Sequence, residues 1–351
     1  MELIKRQCSM RKPIVVIKFG SSVLTTKENS VDERIIIEIA RQIASIQKEY
    51  RVVLVSSGAV AAGRKFMPDY HGTLYDRKAA AAIGNPILLQ TYSQLFKPYA
   101  IPLAQSLCER HHFANRQQFL QLKKTYETLW DNGIIPIANE NDVVSNRELQ
   151  FSDNDELATL IAIGFGAQQL LLCTSVEGVL DEKNAVVREV GIGDKTVFSM
   201  VRKETSFAGL GGMTSKLHFA KLAANLGIGV TVFGTKEDEF LLKALQGEIG
   251  THFIAEEKRL NARKKWLASG TLVAGALQLD QGAVQAVRRG NSLLAVGVEK
   301  VLRGFQAGEV FHLKTSKGQV FAIAKAKVAF DQQDVQKQNL EVANSDDIVI
   351  F

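Results

Sequence analysis

The chain has 351 residues, 46% of them apolar and 23% charged, with a net charge of +6. That length allows one large and one small domain, and the balance of apolar and charged residues describes a soluble globular protein rather than a disordered or fibrous one. No apolar run is long enough to span a bilayer, and the scattered Cys8, Cys108 and Cys173 make neither a disulfide framework nor a metal site and fit a reducing cytoplasm. Lys5, Arg6, Arg11 and Lys12 are not followed by the apolar segment of a signal peptide before the first strand begins. The modest positive charge suits anionic small substrates such as nucleotides, and equally nucleic acid, so its placement has to decide.

Residues Pro13 to Phe19 form a continuous apolar run rich in β-branched residues, the pattern of a strand buried on both faces of a parallel sheet. It runs into Gly20-Ser21-Ser22. Asp32 then caps a helical pattern with Ile35, Ile36, Ile39 and Ile43 at helix spacing. Val52 to Val55 repeats the strand and is followed by Ser56-Ser57-Gly58-Ala59 and a small-residue helix start. Strand, glycine turn and helix have by then occurred twice, which predicts an α/β sheet with ligands beyond the carboxyl ends of its strands.

The middle reads as helices Ala79 to Ile83 and Ile87 to Phe96, broken at Gly84-Asn85-Pro86, then a strand at Ile101 to Leu107 and a helix from Arg116 to Trp130. A fourth strand, Ile134 to Ala138, feeds a segment dense in acids and amides. A helix begins at Asn154, and Leu170 to Cys173 is a fifth strand ending at Thr174-Ser175. A hairpin-like stretch spans Gly178 to Val190. Gly209-Leu210-Gly211-Gly212 opens a helix to Leu226, and Val230 to Phe233 is the last strand expected of this domain. Glu256 to Lys265 is basic, with five Lys or Arg against two Glu, and reads as a linker or edge helix. Beyond it Thr271 to Leu279, Ser292 to Val301, Glu309 to Lys314 and Gln319 to Phe330 alternate with short turns, as in a small, mostly β domain.

The chemistry concentrates in Asn139-Glu140-Asn141-Asp142 and Ser152-Asp153-Asn154-Asp155. Asx turns account for about two of these groups. Asp142, Asp153 and Asp155 suit magnesium, the orientation of lysines, or a substrate ammonium. Neighbouring carboxylates repel, so counter-charges are required, and Lys18 and Lys216 are the candidates. Lys18 ends a buried strand beside the backbone donors of Gly20-Ser21-Ser22, a combination fitted to phosphate oxygens; a snorkelling lysine is the plainer reading. Ser56-Ser57-Gly58 suits a helix cap or the binding of a carboxylate. The glycines before Met213-Thr214-Ser215-Lys216 let backbone approach a ligand, with the lysine adding charge. His111-His112 lacks a partner at ligand spacing and reads as an ordinary helix end.

Together, Ile17 to Ser22, Ser56 to Ala59, Asn139 to Asp142, Asp153 to Asp155 and Gly211 to Lys216 resemble, in order, the motifs of the amino acid kinase family, and most closely those of its members that act on glutamate. Asp280-Gln281-Gly282-Ala283 and Gly308-Glu309-Val310 resemble the PUA domain that many such enzymes carry. The resemblance implies a three-layer α/β sandwich with a central, mostly parallel sheet over 13–255, after an extension at 1–12 and before a basic linker at 256–270 and a PUA-like unit at 271–351. It implies ATP- and Mg2+-dependent phosphorylation of the γ-carboxylate of L-glutamate, the first step of proline synthesis. Lys18 and Lys216 would contact ATP phosphates, and Asp155 would organise the two lysines. Ser57, Asp142 and Asn154 would hold glutamate. Gly20, Thr174, Ser175, Leu210, Gly211, Gly212, Met213, Thr214 and Ser215 would line the nucleotide. Two positions depart from the family pattern: Ser175 stands where an aspartate is usual, and Leu210 where a threonine is usual. A homodimer or tetramer, inhibition by proline and coupling to glutamate 5-semialdehyde dehydrogenase are further implications.

Aspartate, carbamate or UMP as acceptor stays open within the same fold, as does an RNA-binding protein acting through its tail. From Thr271 to Phe351 there are nine Lys or Arg and eight Asp or Glu, a net +1 that disfavours phosphate-backbone binding.

Overall fold

The computed structural model describes residues 12–26, 28, 30–144, 153–192, 194, 197, 213–256, 267, 273–337 and 339–350. Its first part is built on strands β1 (Ile14–Phe19), β2 (Arg51–Ser56), β3 (Leu103–Cys108), β4 (Ile135–Glu140), β5 (Gln169–Cys173), β6 (Glu189–Val190), β7 (Gly229–Phe233) and β8 (Thr251–Phe253). These form one sheet in the order β3-β4-β2-β1-β5-β7-β8-β6, parallel throughout except where β8 runs antiparallel to β7. The sequence reading ended this sheet at Phe233. The short Thr251–Phe253 segment carries too little alternation to announce itself, yet it pairs along β7.

Alternation along each strand divides the core into two layers. Val16, Val53, Val55, Leu170, Leu172, Val230 and Val232 face one side, and Val15, Ile17, Leu54, Ile137, Leu171 and Phe233 face the other. Full burial of each such side chain contributes about 1.5–3 kcal/mol. The first side is covered by helices α6 (Arg116–Asp131), α7 (Asn154–Phe165) and α8 (Met213–Asn225), the second by α2 (Glu33–Ile46) and α4 (Leu74–Phe96). Asp32 caps α2 through the backbone N–H of Arg34.

The chain leaves β1 towards β2, but leaves the neighbouring β5 towards β7. This reversal opens a crevice beyond the carboxyl ends of β1 and β5, the ligand position of open α/β sheets. Lys18 shares its parity with Val16 and so belongs on the face covered by α7 and α8.

The expected break at Gly84-Asn85-Pro86 does not occur: α4 runs unbroken through Pro86. Gly84 is there for packing. α3 (Ala59–Arg64) crosses α4 so closely that a Cβ on Gly84 would lie 1.7 Å from the carbonyl oxygen of Ala59, and one on Gly63 would lie 1.9 Å from that of Ala80. The tertiary contact outweighs the helix-weakening tendency of glycine and proline.

The C-terminal part is a five-stranded sheet, ordered β11 (Val298–Arg303), β9 (Val273–Leu279), β12 (Val310–Lys314), β13 (Val320–Lys325) and β15 (Ile348–Ile350). A two-stranded ladder, β10 (Leu293–Leu294) with β14 (Glu341–Ala343), and a helix over Gln281–Arg288 accompany it. β14, β15 and this helix were not foreseen from the sequence. Both faces of the larger sheet are buried at β12 and β13. Phe311, Leu313, Ala322, Ala324 and Ile348 form its own core, while the intervening Val310, Ile323 and Val349 join the core layer of the first sheet that contains α6 and α7. His312, Ile323 and Val349 stand in one row across the strands. The basic linker falls largely outside the described residues.

Gly84→Ala is expected to lower stability by about 1–3 kcal/mol or more, because the added methyl meets backbone rather than a movable side chain. A urea midpoint equal to that of the wild type, at unchanged slope, would contradict this crossing.

Candidate active site

Four consecutive residues at the start of α7 organise the crevice. Asp153 caps the helix, its Oδ1 accepting from the N–H groups of Asp155 and Glu156 at 2.9 and 3.0 Å. Its other oxygen accepts from the hydroxyl of Ser215 in the first turn of α8 at 2.9 Å. The amino ends of two long helices are thereby tied together, and each favours negative charge.

Asp155 is completely buried between two ammonium groups. Lys18 Nζ lies 2.6 Å from its Oδ1, and Lys216 Nζ lies 2.5 Å from its Oδ2. Burial opposes the charge on Asp155, but the two lysines outweigh it and hold the carboxyl below its ordinary range. Burial likewise opposes the charge on Lys216, and Asp155 outweighs it, holding this ammonium above the usual value. Lys18 is more deeply buried; desolvation prevails over the pull of Asp155, and its pKa falls. One carboxylate thus serves two cations at the carboxyl end of β1.

Beside this triad runs a chain of amides. Asn154 Nδ2 is 3.2 Å from the carbonyl oxygen of Ser56, 2.9 Å from Ser57 Oγ and 3.0 Å from Asn139 Oδ1. Asn139 Oδ1 also accepts from the N–H of Glu140, while Asn139 Nδ2 donates to Asn85 Oδ1 at 2.9 Å. These partners fix the orientation of Asn154, since its oxygen in place of its nitrogen would face two acceptors. Among the described residues its Oδ1 is left buried without a hydrogen-bond donor. Such an orphan acceptor suits an N–H from a ligand. Asp142 is half-buried, and desolvation pushes its carboxyl up to about 6 against the pull of Arg77.

The structure brings Lys18, Ser57, Asn154, Asp155, Ser215 and Lys216 into one network. Gly20 lies at the same strand end: its N–H donates to the carbonyl of Cys173 at 3.4 Å, and a Cβ there would come within 3.7 Å of Lys18 Nζ. Thr174 follows β5, is buried, and donates its N–H to Phe233, while Ser175 is exposed. Met213 and Thr214 begin α8. Leu210, Gly211 and Gly212 lie outside the described residues. His112 Nδ1 accepts from the N–H of Glu109 at the start of helix α5 (Arg110–Ala114), and His111 lies 3.4 Å from the Glu109 carboxylate. Sequence reasoning missed Asn85, hidden in an apparent helix break, and gave Asn139 no role of its own. Among the described residues no cluster of three or more His, Cys, Asp or Glu could hold a metal. Asp153 lies close enough for its charge to act on both lysines. No described helix is long and apolar enough to cross a membrane.

The amino acid kinase family model matches residues 13–234, and the PUA domain model matches 275–337. The glutamate 5-kinase of Vibrio vulnificus (strain YJ016) is 37% identical over 334 residues, covering 92% of this chain and 88% of that protein. The glutamate 5-kinase of Kosmotoga olearia is 36% identical over 331 residues, covering 92% and 90%. A solved carbamate kinase from Giardia lamblia bound to AMP-PNP superposes with a TM-score of 0.50 over 71% of this chain and 100% of that one; at 19% identity the likeness concerns the fold alone. The chain belongs to the amino acid kinase family and, within it, to the glutamate 5-kinases.

Asp155→Asn leaves two buried ammonium groups facing each other. The expected loss is about 3–5 kcal/mol of stability at neutral pH. It should shrink as the pH approaches about 10, where lysine gives up its proton in the unfolded chain as well. Urea unfolding at several pH values measures this; a loss independent of pH would argue against a charge origin.

Proposed function

We propose that this chain transfers the γ-phosphoryl group of ATP to the side-chain carboxylate of L-glutamate, giving L-glutamyl 5-phosphate and ADP, the first step of proline synthesis. The observation that carries the reading is the buried Lys18–Asp155–Lys216 triad, set beside an amide grip at the carboxyl ends of β1 and β5.

The acceptor is a carboxylate, ionised at neutral pH, so the reaction requires no general base. Its oxygen forms a bond to the γ-phosphorus, the bond to the bridging oxygen breaks, and ADP leaves with that electron pair. The physical difficulty is the approach of one anion to another. Lys18 and Lys216 answer it with charge already fixed in place, which is where electrostatic catalysis is most effective. When bound, Mg2+ supplies further neutralisation of the phosphates, and Asp153 is the residue that would reach it.

Glutamate is held at the other end of the site. Asn154 Oδ1 and the Asp142 carboxylate accept from its ammonium group, and Ser57 contributes its hydroxyl. Gly20, Thr174, Ser175 and residues 210–216 line the nucleotide. The same reading includes a cytoplasmic enzyme, a homodimer or tetramer, restraint by proline, and hand-over of the reactive acyl phosphate to glutamate 5-semialdehyde dehydrogenase.

An ATP-dependent hydroxamate assay with glutamate, aspartate and carbamate tests the reaction; product from aspartate and none from glutamate would overturn it. Lys216→Ala is expected to lower kcat by about 100-fold or more, roughly 3 kcal/mol of barrier, with little change in the KM for glutamate; near wild-type turnover would remove Lys216 from its role.

Asp142 should have the opposite signature. Asp142→Ala raises the KM for glutamate and leaves kcat nearly intact. In the wild type, ammonium binding needs Asp142 ionised, so the KM should climb as the pH falls through about 6, by about tenfold per unit at the limit. A pH profile of kcat/KM that is as flat below 6 as above would exclude this carboxylate from the grip.

A further inference from the structure

Each of the four residues opening α7 is anchored to a different neighbour, and the fourth anchor has no place in the reaction described above. Glu156 is buried, and Arg110, the first residue of α5, donates to its Oε1 at 2.5 Å. The preceding residue acts on the opposite side of the site: Glu109 Oε1 accepts from Asn141 Nδ2 at 2.9 Å, and the N–H of Asn141 donates to the carbonyl of Cys108, also at 2.9 Å. Two adjacent residues at the end of β3 therefore brace both substrate-holding segments, one next to Asp142 and the other next to Asn154 and Asp155.

Arg110 also lies between this site and the C-terminal sheet. His312 of β12 sits on the docked face of that sheet, where burial, then Lys314, then Arg110 lower its pKa. The residue is thus in electrostatic contact with both parts of the molecule.

The electrostatic need for Arg110 follows from the position of Glu156. A second carboxylate is buried one residue from Asp155, close to where a phosphate or carboxylate would arrive, and the Arg110 guanidinium is paired with it. Resting on the function proposed above, we propose that Arg110 is a positioning residue for phosphoryl transfer. By neutralising Glu156 it holds the first turn of α7, so that Asn154 presents its free acceptor and Asp155 stays committed to Lys18 and Lys216. The guanidinium touches no reacting atom; it acts through Glu156.

The test compares full-length wild type with R110M, R110K, E156A and R110M/E156Q, measuring kcat, the KM for glutamate and the melting temperature of each. R110M is expected to lose about 10- to 100-fold in kcat/KM for glutamate, the effect of misplacing a substrate-holding group by a fraction of an ångström to an ångström. R110K should recover most of the loss. Adding E156Q to R110M should recover part of it, because the buried charge that lost its guanidinium partner is removed as well. A structural role alone predicts a lower melting temperature with unchanged kinetics, and that result overturns the proposal, as does a double variant no better than R110M. Should R110M not fold, E156A is expected to lose about tenfold, and unchanged kinetics there are equally decisive. Wild-type turnover of glutamate is measured first. Its absence overturns the functional reading, and the variants are then compared on whichever acceptor the hydroxamate assay identifies; an active wild type with an equally active R110M overturns this proposal alone.

Discussion

The whole arrangement depends on one carboxylate buried between two ammonium groups. A lone lysine in such surroundings would give up its proton, and a lone aspartate would take one. Placed together, they support one another: the two lysines hold Asp155 below its ordinary range, and Asp155 holds Lys216 above its own and opposes the desolvation of Lys18. One carboxylate is shared between two ammonium groups, with Asp153 acting on both from further off. The cost of burying these charges is carried by the rest of the fold, and on the function proposed above an arriving phosphate offsets part of it. That is the condition under which fixed charge assists a reaction most, since no solvent has to be reorganised when the phosphoryl group moves.

The fold delivers these three groups through simple geometry. Strand parity sends Lys18 to the same side as Val16, and that side is the one covered by α7 and α8. The change of direction between β1 and β5 leaves the strand ends uncovered there. The hydrogen bond from Ser215 to Asp153 then sets the starts of the two helices side by side, so Asp155 and Lys216 arrive from different parts of the chain at the same oxygen-rich pocket. None of the three positions is adjustable by itself. Displacing α8 would remove Lys216, unseat the second acceptor bond of Asp153 and loosen the cap of α7 together.

Much of this was legible in the sequence, and the reasons differ by element. The apolar run from Pro13 to Phe19 can be little other than an interior strand, and the excess of acids and amides after β4 is more than turns require. The need for counter-charge near Asp155 follows from electrostatics, which is why the pairing with Lys18 and Lys216 was anticipated. Asn85 and Arg110 were illegible because their meaning is wholly tertiary. Gly84-Asn85-Pro86 has the local chemistry of a break, and only the approach of Ala59 explains why a helix persists through it. Arg110 is one surface cation among many until Glu156, 46 residues away, is found buried against it. The short strands β8, β14 and β15, of three residues each, carry too few alternations to register as a period.

The amide chain beside the triad shows why the second half of the site is built mainly from neutral groups. A substrate with an ammonium and two carboxylates brings both signs of charge, and one of its carboxylates must end beside the lysines. A row of fixed cations at the far end would compete for that carboxylate and invite the molecule to bind reversed. Asn85, Asn139 and Asn154 avoid this by offering direction without net charge: each orients the next, and the chain ends in an acceptor suited to an N–H but not to a carboxylate. In the proposed binding mode Asp142 adds a single negative charge, partly suppressed by burial until an ammonium arrives to stabilise it. In that mode the polarity of the site, positive at the triad and weakly negative at the grip, is opposite to that of the substrate's two ends, so the electrostatics proposed to lower the barrier would also select the orientation in which the side-chain carboxylate meets the phosphate.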